Sequence, residues 1–283
     1  MISLDTHFCI VGLGLIGGSY AKALKKAGYK VSAISRSFST IEYALENGLI
    51  DQGSTDVNAG FLKEADVVII GLYPSKEVKW LRENQHLLKA GCLITDVSGV
   101  KESVVEPVQS FLREDMEFIS VHPMAGKEVS GVKNSDEKIF EKANYIVVPT
   151  DKNTDSAVQF ATELGETLGF RKTSTLSPEK HDEIIGFVSQ LTHVIAVSLM
   201  TCNEDENLQM YTGDSFRDLT RIARINEEMW SELFVSNKKA LLEQIDCFEK
   251  QLNQMRAMIE NEDTEGLKEV MRKSTLRRSL FDK

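Results

Sequence analysis

Positive charge is in short supply in this sequence: 33 Lys and Arg stand against 43 Asp and Glu, a formal charge of -10 over 283 residues. A surface of that sign repels a phosphate backbone and an anionic bilayer, which argues against nucleic acid and membrane as partners. An anionic small substrate then needs cations gathered locally against the overall field. Cysteine is also sparse. Cys9, Cys92, Cys202 and Cys247 are scattered, without the spacing of a metal site or a redox pair, so buried free thiols and no bound metal are expected. No apolar run approaches the roughly 20 residues of a membrane-spanning helix. The opening Met-Ile-Ser-Leu-Asp-Thr-His leads straight into a strand pattern without a basic, then apolar, leader, and a reducing cytoplasm suits these features.

What is present is an ordinary globular composition, 42% hydrophobic and 27% charged, in a chain long enough for two domains. Short apolar runs alternate with helical patterns through the first part, as in a parallel sheet covered on both faces. Strands are expected at 8–11, 30–34, 65–72, 92–97, 117–121 and 145–148, six or seven in all, with helices at 19–27 and 41–47 stopped by Gly28 and Gly48. Proline ends at Pro178, strand signals vanish, and the remainder has helical periodicity. The reading is an α/β fold, a doubly wound sheet domain over 1–176 followed by an all-α domain over 177–283. In the latter, Leu241, Ile245, Phe248, Leu252, Met255 and Ile259 step by four and three along one helix face. That seam is either helical core or a surface shared with a second copy in a homodimer.

Gly12-Leu13-Gly14-Leu15-Ile16-Gly17-Gly18 follows the first strand and opens a helix, the context that a dinucleotide-binding glycine turn requires. Gly12 permits the tight turn, Gly14 lets the backbone approach a pyrophosphate, and Gly17 packs the helix on the strand. The amides from Leu15 and Ile16 onward then face the anion. These features make the N-terminal domain Rossmann-type and its ligand NAD or NADP. At the end of the second strand, where a carboxylate would bind the adenine ribose, stand Ser35, Arg36 and Ser37. A guanidinium with two hydroxyls suits a ribose phosphate and favours NADP. If all strands end at one edge, the residues after them form the site: Tyr73 and Pro74 on the cofactor side, then Asp96-Val97-Ser98-Gly99-Val100-Lys101, then His122-Pro123-Met124. His122 is the acid-base candidate, because imidazole titrates near neutral pH and oxidation of a carbinol releases its hydroxyl proton. In the helical part Asp182, Gly186, Ser189 and His193 fall on one stripe of an apolar helix, and Arg217, Arg221 and Arg224 form a row that offers cations.

Taken together these segments resemble the prephenate dehydrogenase family of tyrosine biosynthesis over nearly the whole chain. The likeness rests on the glycine turn, Thr-Asp-Val-Ser-Gly-Val-Lys at 95–101 and Ser-Val-His-Pro-Met-Ala-Gly-Lys-Glu at 120–128. It continues through His181-Asp182, Ser-Gln-Leu-Thr-His ending at His193, Phe-Arg-Asp-Leu-Thr-Arg at 216–221 and Met229-Trp230. The resemblance implies oxidative decarboxylation of prephenate to 4-hydroxyphenylpyruvate with hydride transfer to NAD(P), arogenate being the rival substrate. It implies His122 as base, Arg221 on a substrate carboxylate, His193 and Trp230 in the pocket, and Glu128, Asp182 and Arg217 around the mouth. Many members read Gly-Ser where this chain has Ser98-Gly99, so the hydroxyl that orients the histidine has moved by one position and Ser98 is its candidate replacement. The chain ends soon after the helical part, so no regulatory extension is expected.

Overall fold

Alternation along the central strand sorts two cores. From β1 (His7–Val11), Phe8 and Ile10 join one buried cluster with Tyr20 and Leu24 of α1 (Leu15–Lys26). Cys9 and Val11 join the other, with Leu81 of α3 (Pro74–Asn84) and Val104, Val105 and Val108 of α4 (Glu102–Phe111). Helices on both faces leave every residue of β1 buried, which is why its sequence is a continuous apolar run.

The computed structural model describes residues 2–281, and its sheet has eight strands in the order β3-β2-β1-β4-β5-β6-β7-β8. β2 (Lys30–Ile34), β4 (Val67–Ile70), β5 (Leu93–Asp96) and β6 (Glu117–Pro123) are aligned with β1, so their carboxyl ends share one edge. Two short strands lie outside the expectation: β3 (Gln52–Ser54) and β8 (Lys172–Thr175), whose polar residues carry no apolar signal. A further correction concerns direction. β7 (Asn144–Val148) pairs antiparallel with β6, and β8 follows β7, so these two end at the opposite edge. The apolar run of β7 predicts a strand but not its sense. α2 (Phe38–Glu46) and α5 (Asp155–Thr167) complete the sheet layers. Gly28 (φ +92°) and Gly48 (φ +66°) end α1 and α2 in the left-handed region, as glycine alone does cheaply.

From 177 onward the chain is helical. α6 (Pro178–Ile185), a π-helical turn at Gly186–Leu191 and α7 (Thr192–Thr201) run on continuously, followed by α8 (Asp214–Thr220) and α9 (Glu227–Ser236). These pack with the sheet in one compact unit, Met1–Asn237, so compactness extends past the expected 176/177 boundary. The reason is polar: the Asp182 carboxylate accepts the amides of Lys101 and Glu102 at the start of α4, and Asn237 Nδ2 donates to Asp182 O and Gln190 Oε1. The continuous stretch Pro178–Thr201 has the length and apolarity of a membrane span, contrary to the sequence expectation. Its His181, Asp182 and Gln190 are buried and bonded into the sheet domain and α9, while 28% of its most apolar window is buried.

The second unit, Lys238–Lys283, contains α10 (Lys238–Glu260) and α11 (Thr264–Arg278). On the α10 seam Leu241 is buried, while Phe248, Leu252 and Ile259 are exposed. Among the thiols Cys9 and Cys92 are buried, but Cys202 and Cys247 are exposed, against the expectation that all four are interior.

Candidate active site

The glycine turn has the expected geometry. Gly12 sits at φ +101°, and a side chain there or at Gly17 would overlap the backbone carbonyl of Gly71 or of Gly12 itself. At Gly14 a Cβ would meet nothing within 4 Å, which leaves an open cradle at the N-terminus of α1. That terminus has no side-chain cap and no acidic residue in its first turn, so the amides of Leu15, Ile16 and Gly17 are available to an anion. These residues fit a pyrophosphate. At the end of β2, Arg36 is exposed and forms no ion pair among the described residues. Ser37 spends its hydroxyl on the Thr40 amide as the cap of α2. Tyr73 and Pro74 start α3 after β4, and the Tyr73 hydroxyl accepts from Asn226 Nδ2 at 3.4 Å.

Beneath the edge lies a buried polar knot. Lys101 and Asp96, both fully buried, pair at 2.8 Å, and Lys101 Nζ also donates to Val121 O at 2.7 Å. The other Asp96 oxygen accepts from Ser120 Oγ at 2.7 Å and from Val121 N at 2.9 Å. Both Asp96 oxygens and two of the three Lys101 N–H groups are engaged, which offsets much of the cost of burying a charge pair, and the knot fixes the end of β6 against the loop after β5. The next residue of β6 is His122. Its Nδ1 lies 2.8 Å from His181 Nε2, and His181 Nδ1 lies 2.7 Å from Asp182 Oδ1. Burial, then the neighbouring His181 and Lys101, hold His122 well below the usual imidazole range. His181 is pushed down to about 2 by burial and then by Lys101. The expectation of a group titrating near neutral pH is corrected: His122 rests as a neutral base, because a second proton would lie in a desolvated place near a cation.

α9 crosses the sheet edge. Glu232 accepts from the Ser75 amide at 2.6 Å, Leu233 lies against Gly99, and Trp230 stacks on His193 with centroids 3.6 Å apart. His193 is partly buried, contacts the Ser189 carbonyl, and feels both Glu128 and Arg221. Arg221 lies in a 3-10 turn beyond α8 and is paired with Glu128 from the loop after β6. Glu128, His193, Arg221 and Trp230 are thus brought together, with His122 near the end of β6, the strand that leads into the loop of Glu128. Arg217 is not part of this group: it is exposed and bonded to Asp214 of its own helix at 2.6 Å. α8 ends before Arg221, so the expected single row of three arginines is broken.

Asp182 is not at a mouth but fully interior, capping α4. Ser98 is also buried, and its Oγ has no hydrogen-bond partner, so the structure does not bring it to His122. A Cβ at Gly99, by contrast, would lie 3.9 Å from His122 Nε2. Sequence reasoning singled out Asp182 and passed over its neighbour His181, whose role no spacing rule encodes. It also missed Glu77, buried in the first turn of α3 with both carboxyl oxygens unpartnered and its carboxyl pushed far upward by burial and then by Asp96.

Comparison with known proteins agrees with this layout. The prephenate dehydrogenase nucleotide-binding domain family matches residues 20–173, and the prephenate dehydrogenase dimerization domain family matches 177–273. A prephenate dehydrogenase of Bacillus subtilis is 35% identical over 277 residues, 94% of this chain and 74% of the relative. The crystal structure of Aquifex aeolicus prephenate dehydrogenase, in complex with hydroxyphenyl propionate and NAD+, has a TM-score of 0.88 at 30% identity and covers 98% of both chains. That of Synechocystis arogenate dehydrogenase has a TM-score of 0.84 at 25% identity, covering 98% of this chain and 100% of its own. A nicotinamide-nucleotide cradle, a neutral histidine at the sheet edge and both matched domains coincide in one chain, which therefore belongs to the prephenate dehydrogenase family.

Proposed function

We propose that this protein oxidatively decarboxylates prephenate to 4-hydroxyphenylpyruvate, with His122 as the catalytic base. The observation that carries the reading is the neutral, fixed His122 whose Nε2 has no protein partner among the described residues and faces the Gly99 gap beside α9. A bound nicotinamide supplies the hydride acceptor. His122 Nε2 accepts the C4 hydroxyl proton as the C4–H bond breaks with its electron pair. The ring carboxylate leaves as carbon dioxide, its bonding pair fills the ring, and the proton returns to the phenolic oxygen, so no net proton is released. Arg221 binds a substrate carboxylate once it exchanges Glu128 for the ligand. His193 and Trp230 wall the pocket. The buried, unpartnered hydroxyl of Ser98 supports no catalytic role for it.

Arg36, exposed and unpaired at the end of β2, supports NADP over NAD. The half-exposed α10 seam supports a homodimer through the helical region, and free thiols suit a cytoplasmic setting. Arogenate, the substrate named for the Synechocystis relative, is the second reading. The test is a spectrophotometric assay of reduced nicotinamide with prephenate or arogenate and either cofactor. Turnover of prephenate with a preference for NADP is expected, and His122→Asn should lower kcat by roughly 10² to 10⁴. Oxidation of arogenate alone, or near-normal turnover by His122→Asn, overturns the assignment.

A further inference from the structure

A hydrogen-bonded line runs from the start of α4 to His122, and the groups at one end dictate the protonation at the other. Asp182 already accepts backbone amides that can only donate: Lys101 N at 2.9 Å on Oδ1 and Glu102 N at 2.9 Å on Oδ2. A carboxylate so engaged has no hydrogen to offer, so His181 Nδ1, 2.7 Å from Oδ1, carries one and donates it. His181 Nε2 is then a lone pair and, at 2.8 Å, accepts from His122 Nδ1. His122 is left with its lone pair on Nε2, on the side of Gly99.

On the reading of His122 as the base, we propose that His181 and Asp182 are positioning residues that lock His122 in the Nδ1–H tautomer, so that Nε2 is a base before substrate arrives. The opposite tautomer sets two lone pairs face to face across the His122–His181 contact and forfeits a buried hydrogen bond. As His122 takes up the hydroxyl proton, its Nδ1–H bond to His181 becomes charge-assisted, with the Asp182 carboxylate one ring away. The charged groups around the line are Lys101, held by Asp96, and on α6 Asp182 with Glu179 near it. Burial raises the Asp182 carboxyl, and the amides of Glu102 and Lys101 pull it back. Since His181 titrates only at about 2, a protonated His181 does not compete with this arrangement near neutral pH.

The test uses the full chain. In ring-nitrogen NMR of the resting protein, assigned with His122→Asn and His181→Gln, both rings should be protonated at Nδ1 and bare at Nε2. A His122 ring protonated at Nε2 overturns the proposal. In Asp182→Asn an amide turned with its NH2 toward His181 Nδ1 makes His181 carry its hydrogen on Nε2 and inverts His122 as well, whereas an amide turned with its oxygen there leaves both rings as they are, and the ring spectra tell the two apart. Tautomer inversion of this kind costs about 10⁴ in the serine-protease triad, so kcat should fall roughly 10²- to 10⁴-fold with KM near that of the parent. If Asp182→Asn does not fold, two variants at 181 carry the test. His181→Gln keeps an acceptor for His122 and a donor for Asp182 and should retain most of kcat, whereas His181→Leu should lose it. Equal kcat in these two, or a loss confined to KM, overturns the proposal. A parent enzyme that fails to oxidise prephenate removes the assigned reaction while the ring spectra still report the tautomers. A parent that turns over while a variant with inverted rings keeps its kcat removes the positioning role alone.

Discussion

The displaced serine allows a paired experiment on the base. A Cβ at Gly99 would lie 3.9 Å from His122 Nε2 and no nearer than 3.5 Å to Leu233, so Gly99→Ser meets only ordinary contacts and places a hydroxyl within reach of Nε2. That hydroxyl donates to the neutral ring and stabilises it against protonation. A net hydrogen bond is worth about 1 kcal/mol, and a change of that size lowers the acidic limb of the kcat/KM profile by about 0.7 pH unit. The free-enzyme pKa is what this limb reports. Ser98→Ala should leave the limb in place, because Ser98 Oγ has no hydrogen-bond partner, and should raise stability by about 1 kcal/mol through removal of a buried unpartnered hydroxyl. If Ser98→Ala moves the limb and Gly99→Ser does not, the assignment of Nε2 as the open nitrogen is wrong.

Stability should depend on pH through His181. The unfolded chain binds a proton below pH 6.5 that the folded chain refuses until about 2, so stability is complete above 6.5 and falls through that window. By pH 5 the share of the loss that belongs to His181 is about 2 kcal/mol, so the drop in urea midpoint from pH 8 to 5 should be larger in the parent than in His181→Gln, in which His122 still refuses its proton. Arg221→Ala should raise KM for prephenate about 10- to 100-fold through a lost charged hydrogen bond, while melting shifts little because the Arg221–Glu128 pair is exposed. Arg217→Ala, held by Asp214, should leave KM near normal, and equal effects would refute the distinction. Lys101→Met strands the buried Asp96 carboxylate and should cost about 3 to 5 kcal/mol in chemical denaturation, where a loss below about 1 would contradict the knot beneath the edge.

The sheet and glycine turn were legible because their signals are local: β1 is buried on both faces and therefore reads as a continuous apolar run, and Gly12 and Gly17 are demanded by backbone crowding. The direction of β7 was not, since pairing sense depends on connections rather than on the strand's own residues. At the site, His122, Arg221 and Trp230 were visible from position and motif. His181 was hidden, because a buried histidine and a solvated one look alike until the partner is known. Asp182 was set at the mouth by the family resemblance, and the helical stripe, which put it on one face with His193, assumed 100° per residue throughout.

The π turn at Gly186–Leu191 breaks that regular stripe. One surplus residue in a helix turns everything after it by about 100° relative to what came before, so the two ends of a single rod can serve different neighbours. Upstream of it, His181 and Asp182 face the start of α4 and govern where a proton sits. Downstream, His193 faces Trp230. Shortening that turn by one residue would restore a uniform spiral and swing His193 off the indole while leaving the proton line where it is, so a lone deletion there separates holding the substrate from activating it.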